Sequence, residues 1–138
     1  MTTHAKEDLF TDAQDRMGGM VTFAGIMLLV AGAWHTLAGI AALFNDKVYF
    51  TTPDYVYSLD LTGWGWGHLT LGLIVIATGG AILSGQTWGR VAGVVLVVLS
   101  LIANFMFIPW YPVWALVIIA IDITVIWALV AWRRWPAA

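Results

Sequence analysis

GWGWGHLTLGLIVIATGGAIL, residues 63 to 83, carries no charged side chain from one end to the other. A helix of that length rises about 30 Å, which matches the hydrocarbon core of a bilayer. Three glycines, two tryptophans and a histidine open it, so the stretch is shaped for contact as well as for crossing. Three other runs read the same way, from about Met20 to Phe44, Trp88 to Ile108 and Val113 to Trp132. Of the 138 residues 61% are hydrophobic and 10% charged, against about 25% charged in soluble domains. The expected fold is therefore an all-α membrane protein, a four-transmembrane-helix antiparallel bundle over residues 20–132. Residues 1–19 form a cytoplasmic N-terminal tail and 133–138 a cytoplasmic C-terminal end.

The leader MTTHAKEDLFTDAQDRMGG sets Lys6 and Arg16 against Glu7, Asp8, Asp12 and Asp15. A net negative n-region before so long an apolar run is not a cleavable signal sequence. The tail reads either as disordered or as a short helix that docks on a partner. There is no cysteine, which removes disulfides and thiolate metal sites. A net charge of -2 is too small to point to nucleic acid.

Lys6, Arg16, Arg90, Arg133 and Arg134 fall at the termini and at the connection between the second and third spans. On the other side only Lys47 stands, beside Asp46, Asp54 and Asp60. The positive-inside rule then puts both termini in the cytoplasm of a plasma (inner) membrane protein. Trp88 and Trp132 mark the inner boundary, and Trp64, Trp66, Trp110 and Trp114 the outer one, as interface anchors. The outer loop between the first two spans alternates over Lys47–Phe50 and Tyr55–Asp60 around Thr-Pro-Asp, which predicts a short β-hairpin-like loop. The other connections are tight. GQT offers Thr87 as a helix N-cap, and in PWYP Pro109 stops one helix and Pro112 starts the next.

Helices in lipid associate through small residues. Gly25, Gly32 and Gly39 in the first span and Gly65, Gly72 and Gly79 in the second recur every seven residues, close to two helical turns. Gly89 and Gly93 open the third span as a GxxxG pair. GAWHTLAG (32–39) and GWGHLTLG (65–72) put glycine three before and four after His35 and His68, so both histidines lie on the glycine face. Internal packing accounts for these faces, and so does a helix received from another subunit.

Four polar side chains lie deep in the spans: His35, His68, Asn104 and Asp122. Counting rises, Asp122 is near the midplane, His35 roughly 13 Å below the outer boundary, and His68 and Asn104 roughly 8 Å. The inner half, including IVIATGG and VVLVVLS, is close to featureless. An ionisable group at the midplane is a functional-site hypothesis by default. The structural reading is a polar clasp joining helices, with His35 the depth-matched partner of Asp122 and Asn104 an amide donor. The functional reading is a ligand or proton site on the same residues. Two histidines on two helices also raise haem b, opposed by the mismatch of roughly 5 Å in depth. No helix carries an i, i+4 ligand pair, so no metal site is predicted.

FAGIMLLVAG, LTGWGWGHL, GQTWGRVAG and ANFMFIPWYPVWALVIIAIDITVIWAL together resemble an actinobacterial family of small four-span integral membrane proteins known only as a domain of unknown function. The likeness covers about Gly19 to Ala131 and implies the four-helix membrane fold but no reaction. Trp64, Trp66, His68, Asn104, Pro109, Pro112 and Asp122 stand at positions that resemble the family pattern. His35 does not, which counts further against haem. The expectation is a non-enzymatic accessory, scaffold or assembly subunit of a larger membrane complex, respiratory or cell-envelope. It would contact lipids and other integral subunits or itself. The alternatives are a carrier or relay for a small lipophilic molecule or protons, and a haem-bearing electron-transfer module.

Overall fold

A computed structural model describes residues 2–45, 47–51 and 56–131. Four helices run in order: α1 (Thr3–Leu43), α2 (Leu61–Leu83), α3 (Thr87–Phe107) and α4 (Pro112–Ala131). Each is long and apolar enough to cross a membrane, and the chain is a multi-pass membrane protein on that ground. Between α1 and α2 lie strands β1 (Lys47–Thr51) and β2 (Val56–Asp60), antiparallel, with Lys47 opposite Asp60 and Thr51 opposite Val56. The Thr-Pro-Asp turn lies outside the described residues. The chain divides into two compact units, Leu28–Ala77 and Met1–Met27 with Thr78–Ala138.

Helix α1 starts at Thr3, well before the apolar run. Lys6, Glu7, Leu9 and Arg16 are good helix formers. Threonine, which often competes with the helix, instead folds back on it here: Thr11 Oγ1 donates to Glu7 O at 2.9 Å and Thr22 Oγ1 to Gly18 O at 2.9 Å. The tandem Gly18–Gly19 is absorbed without a break.

Within Leu28–Ala77, α1 and α2 meet backbone to backbone. A Cβ on Gly32 would lie 2.7 Å from Ile76 N, and one on Gly39 would lie 2.5 Å from Leu69 N and 2.7 Å from Gly65 O. One on Gly65 would lie 3.0 Å from Gly39 O, and one on Gly72 would run into Thr36. In the other unit a Cβ on Gly25 would strike Leu83 at 2.7 Å, with Gly79 O 3.4 Å away. There Gly89 of α3 sits on Ala81 of α2, leaving no room for a side chain, and Gly79 and Gly93 are buried. Small residues dominate what else is buried in that unit, among them Ala24, Ala81, Ala115 and Ala128. Large apolar side chains such as Val91, Leu99, Ile102 and Trp127 face outward.

The α2–α3 turn closes on Gly85, whose φ of 77° is the left-handed conformation glycine supplies. Gln86 N donates to Ala81 O at 2.9 Å and Gly85 N to Ile82 O at 3.0 Å, which satisfies two terminal carbonyls of α2. This closure leaves Gln86 extended, so the N-cap is Gln86 rather than Thr87, and it forms no side-chain cap. Its Oε1 instead accepts from the Trp88 indole at 2.5 Å. Helix α3 ends at Phe107, two residues before Pro109, and α4 begins on Pro112, whose missing N–H costs nothing in a first turn.

Gly39→Ala should destabilise the protein by about 1–3 kcal/mol through overpacking. Gly67→Ala, with nothing within 4 Å of the new methyl, should leave stability level or raise it by up to ~1 kcal/mol. Thermal melts followed by near-ultraviolet circular dichroism in detergent compare the two. Equal melting points would remove the glycine contact as a determinant of packing.

Candidate functional site

The deep polar residues fall into two groups, one in each unit. In Leu28–Ala77, His35 of α1 and His68 of α2 stand with ring centroids 5.3 Å apart and planes inclined by 48°. The Trp64 ring stacks on His68 at 3.6 Å and 23°, and His68 Nδ1 lies 3.2 Å from Trp64 O. A carbonyl only accepts, so this contact sets the Nδ1–H tautomer and leaves the lone pair on Nε2. His35 Nδ1 is buried with no hydrogen-bond partner. The α1–α2 contacts at Gly32 with Gly72 and at Gly39 with Gly65 flank this pair. They leave no slot for a porphyrin between the two rings, so the residues present do not fit haem.

In the other unit Asp122 of α4 is buried, 7% exposed. Its carboxyl takes a hydrogen bond from Ser100 of α3, while Oδ2 is buried without a partner. Asn104 Nδ2, one turn along α3, donates to Ser100 O at 2.9 Å and approaches Ser100 Oγ at 3.4 Å. Asn104, Ser100 and Asp122 thus form one polar chain across α3 and α4.

Sequence reasoning passed over Ser100 and Thr78, both in stretches taken as featureless. Thr78 is 1% exposed. Small hydroxyls barely move local hydropathy, yet Ser100 is the donor of the buried Asp122 carboxyl. Arg90, read only as an inside charge, also has a structural task. Its Nη2 donates to Leu129 O at 2.6 Å, one of the last four carbonyls of α4 that lack helical partners. The cation also suits the negative end of that helix dipole. The indoles of Trp64, Trp66, Trp88, Trp110 and Trp114 are exposed, as side chains at a lipid interface would be. Trp132 lies outside the described residues.

Residues 20–134 match the family described as Domain of unknown function (DUF7144). The chain belongs to that family. No curated protein and no solved structure matches it. The DUF7144 segment holds both polar groups and all the packed glycines, and it excludes the first turns of α1.

Ser100→Ala should cost about 1–3 kcal/mol, because it strips a buried carboxyl oxygen of its donor. Combined with Asp122→Val, the total loss should be smaller than the sum of the single losses. Chemical denaturation of all three variants reads the coupling, and strict additivity would mean that the two side chains do not interact.

Proposed function

We propose that this DUF7144 protein is a non-enzymatic accessory, scaffold or assembly subunit of a larger complex in the plasma membrane. Both termini lie in the cytoplasm and the β1–β2 hairpin on the outer side. What supports the reading is the helical extension at the start of α1. At 100° per residue, Ala5, Leu9, Phe10, Ala13 and Met17 share one face with the basic Lys6 and Arg16, and Glu7, Asp8, Asp12 and Asp15 gather on the other. Leu9 and Phe10 are 55% and 70% exposed. The extension lies outside the residues that match the family. A helix with apolar and basic residues on one face and acidic residues on the other is the form of one that docks on another protein.

A second reading has one observation in its favour. Asp122 Oδ2 is buried without a partner, and a carboxyl so placed suits a relay or a polar ligand of a lipophilic carrier. In that case Asp122→Asn abolishes binding or transport while the protein stays folded.

Full-length protein taken from native membranes in mild detergent should bring other integral proteins with it. A chain lacking residues 2–16 should lose them while staying folded. A monodisperse monomer without companions, under conditions that hold other complexes together, would overturn the reading. Because the chain has no cysteine of its own, topology is open to single-cysteine labelling. Lys47→Cys should react with an impermeant maleimide on intact cells, and Thr3→Cys only after permeabilisation.

A further inference from the structure

The geometry points to a two-coordinate copper(I) site formed by the imidazoles of His35 and His68. This goes beyond the accessory-subunit reading and stands or falls separately from it. Metal–nitrogen bonds of about 2.0 Å hold two imidazoles on one linearly coordinated ion about 6 Å apart, centre to centre. The observed separation of 5.3 Å is shorter than this, so binding moves the two rings slightly apart. The inclination of 48° is no obstacle, because rings on a linear N–Cu–N axis turn freely about it.

The donors are prepared for such an ion. Metal-bound histidine usually donates its second ring N–H to a carboxylate or carbonyl, which fixes tautomer and orientation. His68 has this arrangement with Trp64 O at 3.2 Å, and the stacked indole holds the ring plane. Its Nε2 is left with a free lone pair. On the facing helix His35 Nδ1 is buried with no hydrogen-bond partner, so no protein group competes for it. The flanking contacts at Gly32 with Gly72 and Gly39 with Gly65 fix the distance between the two helices.

The number of donors selects the metal. Among the described residues no group of three or more His, Cys, Asp or Glu comes together. Zinc takes four ligands and hard divalent ions six or more. Copper(I), a d¹⁰ ion, is satisfied by two neutral nitrogens, and imidazole suits copper. Binding needs no redox step and no proton release from neutral imidazole.

The full chain in detergent is titrated with copper(I) under anaerobic, reducing conditions against a chromogenic copper(I) chelator. One equivalent should be withdrawn from the chelator. X-ray absorption of the wild-type complex should show the intense pre-edge feature of linear copper(I) and two nitrogen neighbours. His35→Ala and His68→Ala should each weaken binding on the order of 100-fold or more. His4→Ala, at an exposed residue of the α1 extension, should bind as wild type does. Failure of folded wild-type protein to compete with the chelator would overturn the proposal. So would a three- or four-coordinate spectrum, or copper that follows His4 instead of the histidine pair. The absorption spectrum needs no variant, so misfolding of an alanine mutant does not leave the question open.

Discussion

The contact of bare backbone on bare backbone between α1 and α2 is the constraint on which the rest depends. Lipid tails solvate an apolar helix as well as another helix does, so association rests on close packing. Glycine permits an approach that any Cβ would block. Gly39 with Gly65, and Gly32 with Gly72, hold it in one unit, and Gly25 with Gly79 in the other. A spacing of seven residues falls short of two full turns by only about 0.2 residue, so successive glycines return to nearly the same line. The polar side chains are placed by this contact, because His35 and His68 each sit within one turn of a glycine that touches the other helix.

Much of this was legible in the sequence, for reasons that differ from residue to residue. The spans were legible because a bilayer demands long uncharged runs, and the glycines because their period matches the helix. The sequence put His35 and His68 on the glycine faces of their helices but matched His35 by depth to Asp122, whereas the structure sets His35 against His68 and gives Asp122 Ser100 instead. The start of α1 was not legible. Charge composition reports exposure, and an exposed helix and an exposed coil have similar compositions. Ser100 escaped notice because a hydroxyl on a helix can fold back on its own carbonyls, so that nothing in the local pattern marks one that turns to a carboxyl on another helix. The task of Arg90 was hidden by its long side chain, which lets one residue serve both as a topological charge and as a donor to α4.

The two polar groups meet the demands of a membrane interior in different ways. Asp122 is supplied from within its own unit, by a serine whose carbonyl in turn engages Asn104. The chain of contacts runs along α3 and across to α4, and at the far end of α4 Arg90 satisfies a terminal carbonyl. The α3–α4 pair is thus stitched at two levels, at Ser100 and at Arg90. Loss of the Ser100 hydroxyl takes that donor from the Asp122 carboxyl in a medium that offers no water as a substitute.

The histidine pair is organised by the opposite logic. Its hydrogen bond to Trp64 O is local to α2. A buried imidazole nitrogen needs a partner, and His68 Nδ1 has one in the carbonyl of a tryptophan one turn earlier. His35 Nδ1 is buried and has none. Trp64 therefore does more than mark a membrane boundary. By stacking on the ring and fixing its tautomer it aims the remaining lone pair of His68 away from its own helix, and the unmatched nitrogen of His35 stands on the helix opposite. A packing seam needs glycine at these levels and nothing more, so the placing of two imidazoles between two glycine contacts is a demand that helix association alone does not make.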